Sequence, residues 1–164
     1  MSARALLPLV IISGMIAAGC GPSDEAIRSI VRDEMAAAMK RQAITNANVI
    51  GPYSPAIRVG NFLFVSGQIA LDQATGTMKQ ESLDAETRQV LDNVMTILRS
   101  QGYDGSHVVN ATVYLKNMKD YAAVNRIYAG YFRENDFPAR VAVEVAALPR
   151  GANVEISVIA CKTQ

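Results

Sequence analysis

Twice towards its C-terminus the chain alternates apolar with small or polar residues over a strand's length, and few folds accommodate two such runs so close together. The first is Phe137-Pro138-Ala139-Arg140 continuing through Val141, Ala142, Val143, Glu144 and Val145 to Leu148; the second spans Asn153 to Cys161. Period two belongs to a strand with one buried face. Arg140 shares a face with Ala142 and Glu144, opposite the three valines, so the valine face is expected to be core and the arginine face site. Glu155 sits likewise between Val154 and Ile156. The link Leu148-Pro149-Arg150-Gly151-Ala152 suits a short antiparallel return, which would bring Arg140 and Glu155 into one pocket. A charge among aliphatics needs a partner or a ligand. Alternation alone leaves these readings open: an ion pair at a sheet edge, two exposed charges, or a cation and a carboxylate facing a bound molecule.

The rest of the chain has the texture of a compact α+β domain. Asn61 to Ser66, between Gly60 and Gly67, and His107 to Leu115 are expected strands. Ser82 to Gln101 is an expected helix, with Val90, Leu91, Val94, Ile97 and Leu98 at helical spacing, Ser82 as cap and Gly102 as terminator. Met118 to Glu134 is a second one, whose tyrosines are expected to pack. His107 is expected to be a surface or turn residue and not a general base, and Cys161 a buried structural thiol.

With 164 residues and a net charge of +1, one core can form without a basic nucleic-acid surface. A single His and no Cys-x-x-Cys argue against a metal site of the usual nitrogen and sulfur ligands. No G-x-G-x-x-G, Walker loop or G-x-S-x-G occurs.

The N-terminal part differs in character. A short positive head, Met1 to Arg4, precedes an apolar run, Ala5 to Gly19, shorter than the ~20 residues of a membrane span. It ends in Ala17-Ala18-Gly19-Cys20, which resembles the lipobox of bacterial lipoproteins. Residues 1–19 are then a signal peptide and Cys20 a lipid anchor, placing the protein on the extracytoplasmic (periplasmic) side of a bacterial membrane; Gly21 after the cysteine favours the outer membrane where there is one. Ser23 to about Ala43 is expected to be a helix, with Asp24 and Glu25 at its start, Lys40 and Arg41 at its end, and an apolar stripe of Ile27, Ile30, Val31, Met35, Ala38 and Met39. Residues 20–43 form the tether and 44–164 the domain.

Four short stretches then occur in order: Ile50-Gly51-Pro52-Tyr53-Ser54-Pro55, Val65-Ser66-Gly67-Gln68-Ile69, Leu91-Asp92-Asn93-Val94, and Phe137-Pro138-Ala139-Arg140 with Val143-Glu144-Val145. Together they resemble the reactive intermediate deaminase family, RidA or YjgF, over about Ile44 to Cys161. The resemblance implies a chorismate-mutase-like α+β fold, a mixed sheet packed by two helices, and a homotrimer with barrel-like sheets and ligand clefts between subunits. It also implies hydrolysis of 2-imino or enamine acids to 2-keto acids and ammonia without cofactor or metal, with small 2-imino acids or other small carboxylates as ligands and no nucleic acid. By position, Arg140 matches the arginine that clamps the substrate carboxylate and Glu155 the acid that positions water. Tyr53 matches a tyrosine that closes the site, Ser66 and Gly67 a loop reaching the ligand, and Asn125 a polar residue lining the cleft. Ala142 stands where many active members have cysteine, its backbone still able to donate, and Ala147 where a basic residue is common; both point to an altered ligand preference. A competing class is a non-catalytic module that uses the same cleft to bind carboxylates or a protein.

Overall fold

The computed structural model describes residues 21–45 and 47–162; the leader and Cys20 lie outside them. Helix α1, Asp24–Ala38, is capped by the Ser23 side chain, which accepts from the Ala26 amide at 3.2 Å, and carries two acids in its first turn. None of its residues is buried. It stops short of the expected end near Ala43, because Gln42–Ile44 pairs into a sheet as strand β1. A separate compact unit begins at Lys40.

That unit is built on one six-stranded sheet. Its further elements are β2 (Ala56–Val59), β3 (Phe62–Gln68), α2 (Leu83–Ser100), β4 (Val108–Leu115), α3 (Tyr121–Ala129), β5 (Ala139–Glu144) and β6 (Val154–Cys161). Their order in space is β1-β2-β3-β6-β4-β5, and every neighbouring pair is antiparallel except β4 with β5. A parallel pair cannot be joined by a hairpin, and α3 provides the crossover it needs. The expected adjacency of β5 and β6 is therefore wrong: β4 lies between them. The five-residue link does not turn a hairpin but carries the chain past the end of β4, where the Lys116 amide donates to the Asn153 carbonyl at 2.9 Å.

Helix α2 forms as its sequence requires. The Ser82 hydroxyl accepts from the Ala85 amide at 3.1 Å, and Gly102 takes the left-handed conformation, φ 74°, just past the C-cap Gln101. Val90, Leu91, Val94, Ile97 and Leu98 join Val124, Ile127 and Tyr128 of α3 in one core with Leu63, Val65, Val113, Leu115, Val154, Ile156 and Val158 of the sheet. Helix α3 is shorter than its apolar spacing suggested. A 3-10 turn, Met118–Asp120, precedes it, and after Ala129 the bonds tighten to Gly130 amide on Ile127 carbonyl and Tyr131 amide on Tyr128 carbonyl.

Both helices cover the same face of the sheet, which settles the sidedness of β5. Cα partners across a ladder share a face, and Arg140 pairs with Ala111 and Ala142 with Val113, both buried. The arginine side thus faces the helices. Val141 and Val143, expected in the core, are 49% and 37% exposed on the other face, with exposed Phe62 and Phe64 on β3. Alternation located the two faces correctly but could not say which one the helices cover. Cys161 is on the uncovered side and half-buried, not sealed in the core. His107 is a turn residue: it closes a capping box with Asp104, its Nδ1 2.9 Å from the carboxylate.

Candidate functional site

Arg140 occupies the second position of the edge strand β5, beside α3. Its guanidinium lies 4.6 Å from the centroid of the Tyr128 ring and 5.8 Å from that of Tyr121, and Nη2 donates to the Tyr121 hydroxyl at 3.4 Å. Aromatic faces attract a cation and hold its plane without neutralising it. Among the described residues Arg140 makes no salt bridge. Around it Asn125, Tyr128, Ala129, Phe137 and Pro138 line a cleft of about 350 Å³. The Tyr121 hydroxyl is held below its ordinary pKa by its bond with the Asn125 side chain and by the nearby Arg140 charge. Burial pushes Tyr128 up to about 12 despite the arginine, and its hydroxyl finds no hydrogen-bond partner among the described residues. Tyr121, Asn125 and Tyr128 fall at helical spacing on one face of α3. That spacing was visible in the sequence, but nothing there placed an arginine on the rings.

Glu155 occupies a different cleft. Its Cα partner on β4 is Tyr114, which in turn pairs with Val143, so it projects from the face opposite Arg140. The cleft, of about 540 Å³, is lined by Ile50, Gly51, Pro52, Tyr53, Ser66, Gly67, Ile69, Pro149 and Glu155. Its wall depends on an irregularity in β3. The ladder with β6 is regular to Val65↔Val158 and resumes at Gln68↔Ile156, so Ser66 and Gly67 together oppose Ser157 in a bulge. A Cβ on Gly67 would overlap the Glu155 carboxylate; only glycine lets the acid lie against this backbone. The Ser66 hydroxyl donates to the Ser54 carbonyl at 2.7 Å and the Ser66 amide to the Pro55 carbonyl at 3.0 Å. These bonds tie down the segment that carries Tyr53, which is 44% exposed at the rim. Burial raises the Glu155 carboxyl above its usual range, as expected of a partly desolvated acid without a nearby cation.

Six of the residues singled out from sequence thus divide in two: Arg140 with Asn125, and Glu155 with Tyr53, Ser66 and Gly67. One chain does not bring the two charges into a common pocket, and the edge ion pair does not form. Ala142, on the arginine face, packs against the core and lines neither cleft. Chemically, one cleft offers a permanent planar cation suited to a carboxylate. The other offers a carboxyl, its pKa raised by burial, that can accept and return a proton. Among the described residues no group of His, Cys, Asp and Glu is arranged to hold a metal ion.

Comparison with known proteins covers most of this unit. A family model described as Endoribonuclease L-PSP matches residues 40–162. A RutC family protein of Pyrococcus horikoshii is 51% identical over 113 residues, 69% of this chain and 89% of its own. A goat protein named 2-iminobutanoate/2-iminopropanoate deaminase is 45% identical over 111 residues, 68% of this chain and 80% of its own. Among solved structures, the YjgF gene product of Escherichia coli superposes with a TM-score of 0.68 at 40% identity, covering 74% of this chain and 97% of that one.

Proposed function

The chain belongs to the endoribonuclease L-PSP family, that of RidA and YjgF, and on that footing we propose that it hydrolyses small 2-imino or enamine acids to 2-keto acids and ammonia. The observation that carries this reading is the division of the site: an arginine with no salt bridge among the described residues in one cleft and a partly desolvated carboxyl in another, each incomplete alone. The deaminase activity in the goat relative's name supports the choice of substrate class.

The chemistry asks for little more than these two groups. The carbon of a protonated imine is already electrophilic, so the protein has to hold the substrate carboxylate, orient one water and move a proton. Arg140 serves the first task through a bidentate pair. Glu155 accepts a proton from the attacking water as the C–O bond forms and passes it to the nitrogen; as a carboxylate again, it takes the hydroxyl proton while the C–N bond breaks and the carbonyl forms, and that proton leaves with the departing ammonia as ammonium. Tyr53 closes the cleft over the ligand, and Asn125 contacts it beside Arg140.

For one substrate to meet both groups, the Arg140 cleft of one subunit must face the Glu155 cleft of the next, and a homotrimer closes such contacts in a ring. The exposed row of Phe62, Phe64, Val141 and Val143 suits burial between subunits. We place the enzyme outside the cytoplasm on a lipid anchor at Cys20, on the strength of Ala17-Ala18-Gly19-Cys20. Replacing Cys20 by Ser is expected to abolish labelling by a fatty-acid analogue, and persistent labelling refutes the anchor.

The activity test generates 2-iminopropionate in situ with an amino-acid oxidase and follows it with semicarbazide as a trap. Accelerated loss of imine supports the reading; ligand binding without acceleration leaves a carboxylate-binding module instead. Co-expression of Arg140→Ala with Glu155→Gln tests the assembly. A site shared between neighbours regains activity at about one quarter of interfaces, since half the chains supply each intact group, whereas a site within one chain regains none.

A further inference from the structure

Two walls of the Glu155 cleft come from segments far apart in sequence, the stretch after β3 with Ile69 and the stretch before β6 with Pro149, and both are tied to α2. Glu86, fully buried in the first turns of α2, receives the Asn153 amide on Oε1 and the Asn153 side-chain amide on Oε2, each at 2.7 Å. Asn93, also buried, donates through Nδ2 to the Ile69 carbonyl at 3.0 Å and the Leu71 carbonyl at 2.8 Å, while Gln89 donates to its Oδ1 at 2.8 Å. Seven residues separate Glu86 from Asn93, so they share a helix face about 10 Å apart along the axis. Asn153 leads into β6 two residues before Glu155, and Ile69 and Pro149 line the cleft itself. Between the tie points Ile69, Leu71 and Ala152 form a small cluster of their own, joined by Leu148.

We propose that Glu86 and Asn93 are positioning residues: α2 acts as a rigid spacer whose two buried polar side chains hold the walls of the Glu155 cleft at a set separation, and so hold Glu155 against the Gly67 bulge. Burying a carboxylate and an amide in a helix face costs stability unless each is satisfied. A purely structural face would be filled by aliphatics, as the neighbouring Val90, Val94 and Ile97 are. Glu86 accepts from the backbone and side chain of Asn153, and Asn93 donates to the backbone of Ile69 and Leu71, residues of the two segments that line the cleft. Apart from α2, these segments have few backbone ties: the first, which follows the bulge, makes a bridge between Leu71 and Met78, and the second, which follows a turn in which Arg150 has φ 53°, receives the Lys116 amide on the Asn153 carbonyl.

The consequence for catalysis rests on the deaminase reading, and the test separates the two. Asn153→Asp sets a second carboxylate against Glu86 and breaks the tie; adding Glu86→Gln restores donor to acceptor with the charge count unchanged. In the full-length protein, Asn153→Asp is expected to lower kcat on 2-iminopropionate about ten- to a hundredfold, as small misplacements do, with KM little changed, and the double variant to recover most of it. An unaltered kcat in Asn153→Asp, or no recovery in the double variant, overturns the proposal. Independently of turnover, the 13C carboxyl resonance of Glu155 is titrated in the wild type and in Asn153→Ala, which removes one bond and adds no charge. A looser cleft admits water, and the Glu155 titration falls towards that of an exposed glutamate; an unmoved titration overturns the proposal. Should the wild type not hydrolyse the imine, the deaminase reading fails, and the titration still decides whether α2 holds the cleft. Should Asn153→Asp not fold, Asn153→Ala supplies the kinetic arm as well, with a smaller fall in kcat expected.

Discussion

Arg140 lies on an edge strand with its guanidinium over two tyrosine rings, whereas Glu155 lies on an interior strand with its carboxylate against the backbone of a bulge. The rings orient the cation and, apart from the long bond of Nη2 to the Tyr121 hydroxyl, leave its hydrogen-bond donors for a ligand, and an arginine stays charged in either setting. The carboxyl is held by the absence of a side chain at Gly67, and partial burial makes its charge harder to keep. One half of the site is thus built for constant charge and the other for a charge that changes. This suits binding in the first cleft and proton transfer in the second.

If that division holds, substitutions in the two clefts fail in different ways. The largest loss is expected for Glu155→Gln, about 10²- to 10⁴-fold in kcat as for other general bases, with KM nearly intact; steady-state kinetics with the semicarbazide trap measure both. Arg140→Ala is expected to lower kcat/KM about ten- to a hundredfold, the worth of one charge-assisted contact. Most of that loss should appear in KM, and Arg140→Lys should restore only part of it, since an ammonium cannot form the bidentate pair. A fall in kcat alone on losing Arg140 would erase the distinction between the clefts. Tyr121→Phe removes a hydroxyl but keeps the ring, and about two- to tenfold in KM is expected from the loss of one long hydrogen bond to the guanidinium; no change would leave the rings alone as the cushion.

The smallest effect concerns stability. Burial raises the Glu155 pKa in the folded state, so the folded protein binds that proton more tightly than the unfolded chain does. Its contribution to stability is fully present below the ordinary glutamate pKa and is lost as pH rises through the raised folded value. At neutral pH Glu155→Gln should therefore melt slightly above the wild type, with the difference disappearing on acidification below the ordinary glutamate value. Melting curves at both pH values test this, and a variant that melts below the wild type at neutral pH would show that the carboxylate is stabilised where it lies.

Most of the fold was legible because its signals are local. Ser82 and Gly102 bracket α2 as cap and terminator, and alternation marks β4, β5 and β6. Motif order identified the family and drew attention to Tyr53, Ser66, Gly67, Asn125, Arg140 and Glu155 without showing how they divide. Glu86 does not figure in the sequence reading and Asn93 figures only within the Leu91-Asp92-Asn93-Val94 stretch, with no role, although a signal for both existed. They continue the spacing of Val90 and Ile97 along the apolar face of α2, and a polar residue at such a position is either buried and satisfied or evidence against the helix.

By itself the sequence determined the existence of α2, α3 and strands β3 to β6, where α2 starts and stops, and which side chains share a strand face, since these depend on neighbours within a few positions. Strands β1 and β2 and the ends of α1 and α3 did not show in it. Only the tertiary structure decided that β4 enters between β5 and β6, that the helices cover the arginine face and not the valine face, and that Arg140 and Glu155 point to opposite sides of one sheet. Period two is symmetric between the faces of a strand and silent about its neighbours. The choice is made by the covering helices and by the α3 crossover that lays β5 parallel to β4, through contacts between residues far apart in the chain.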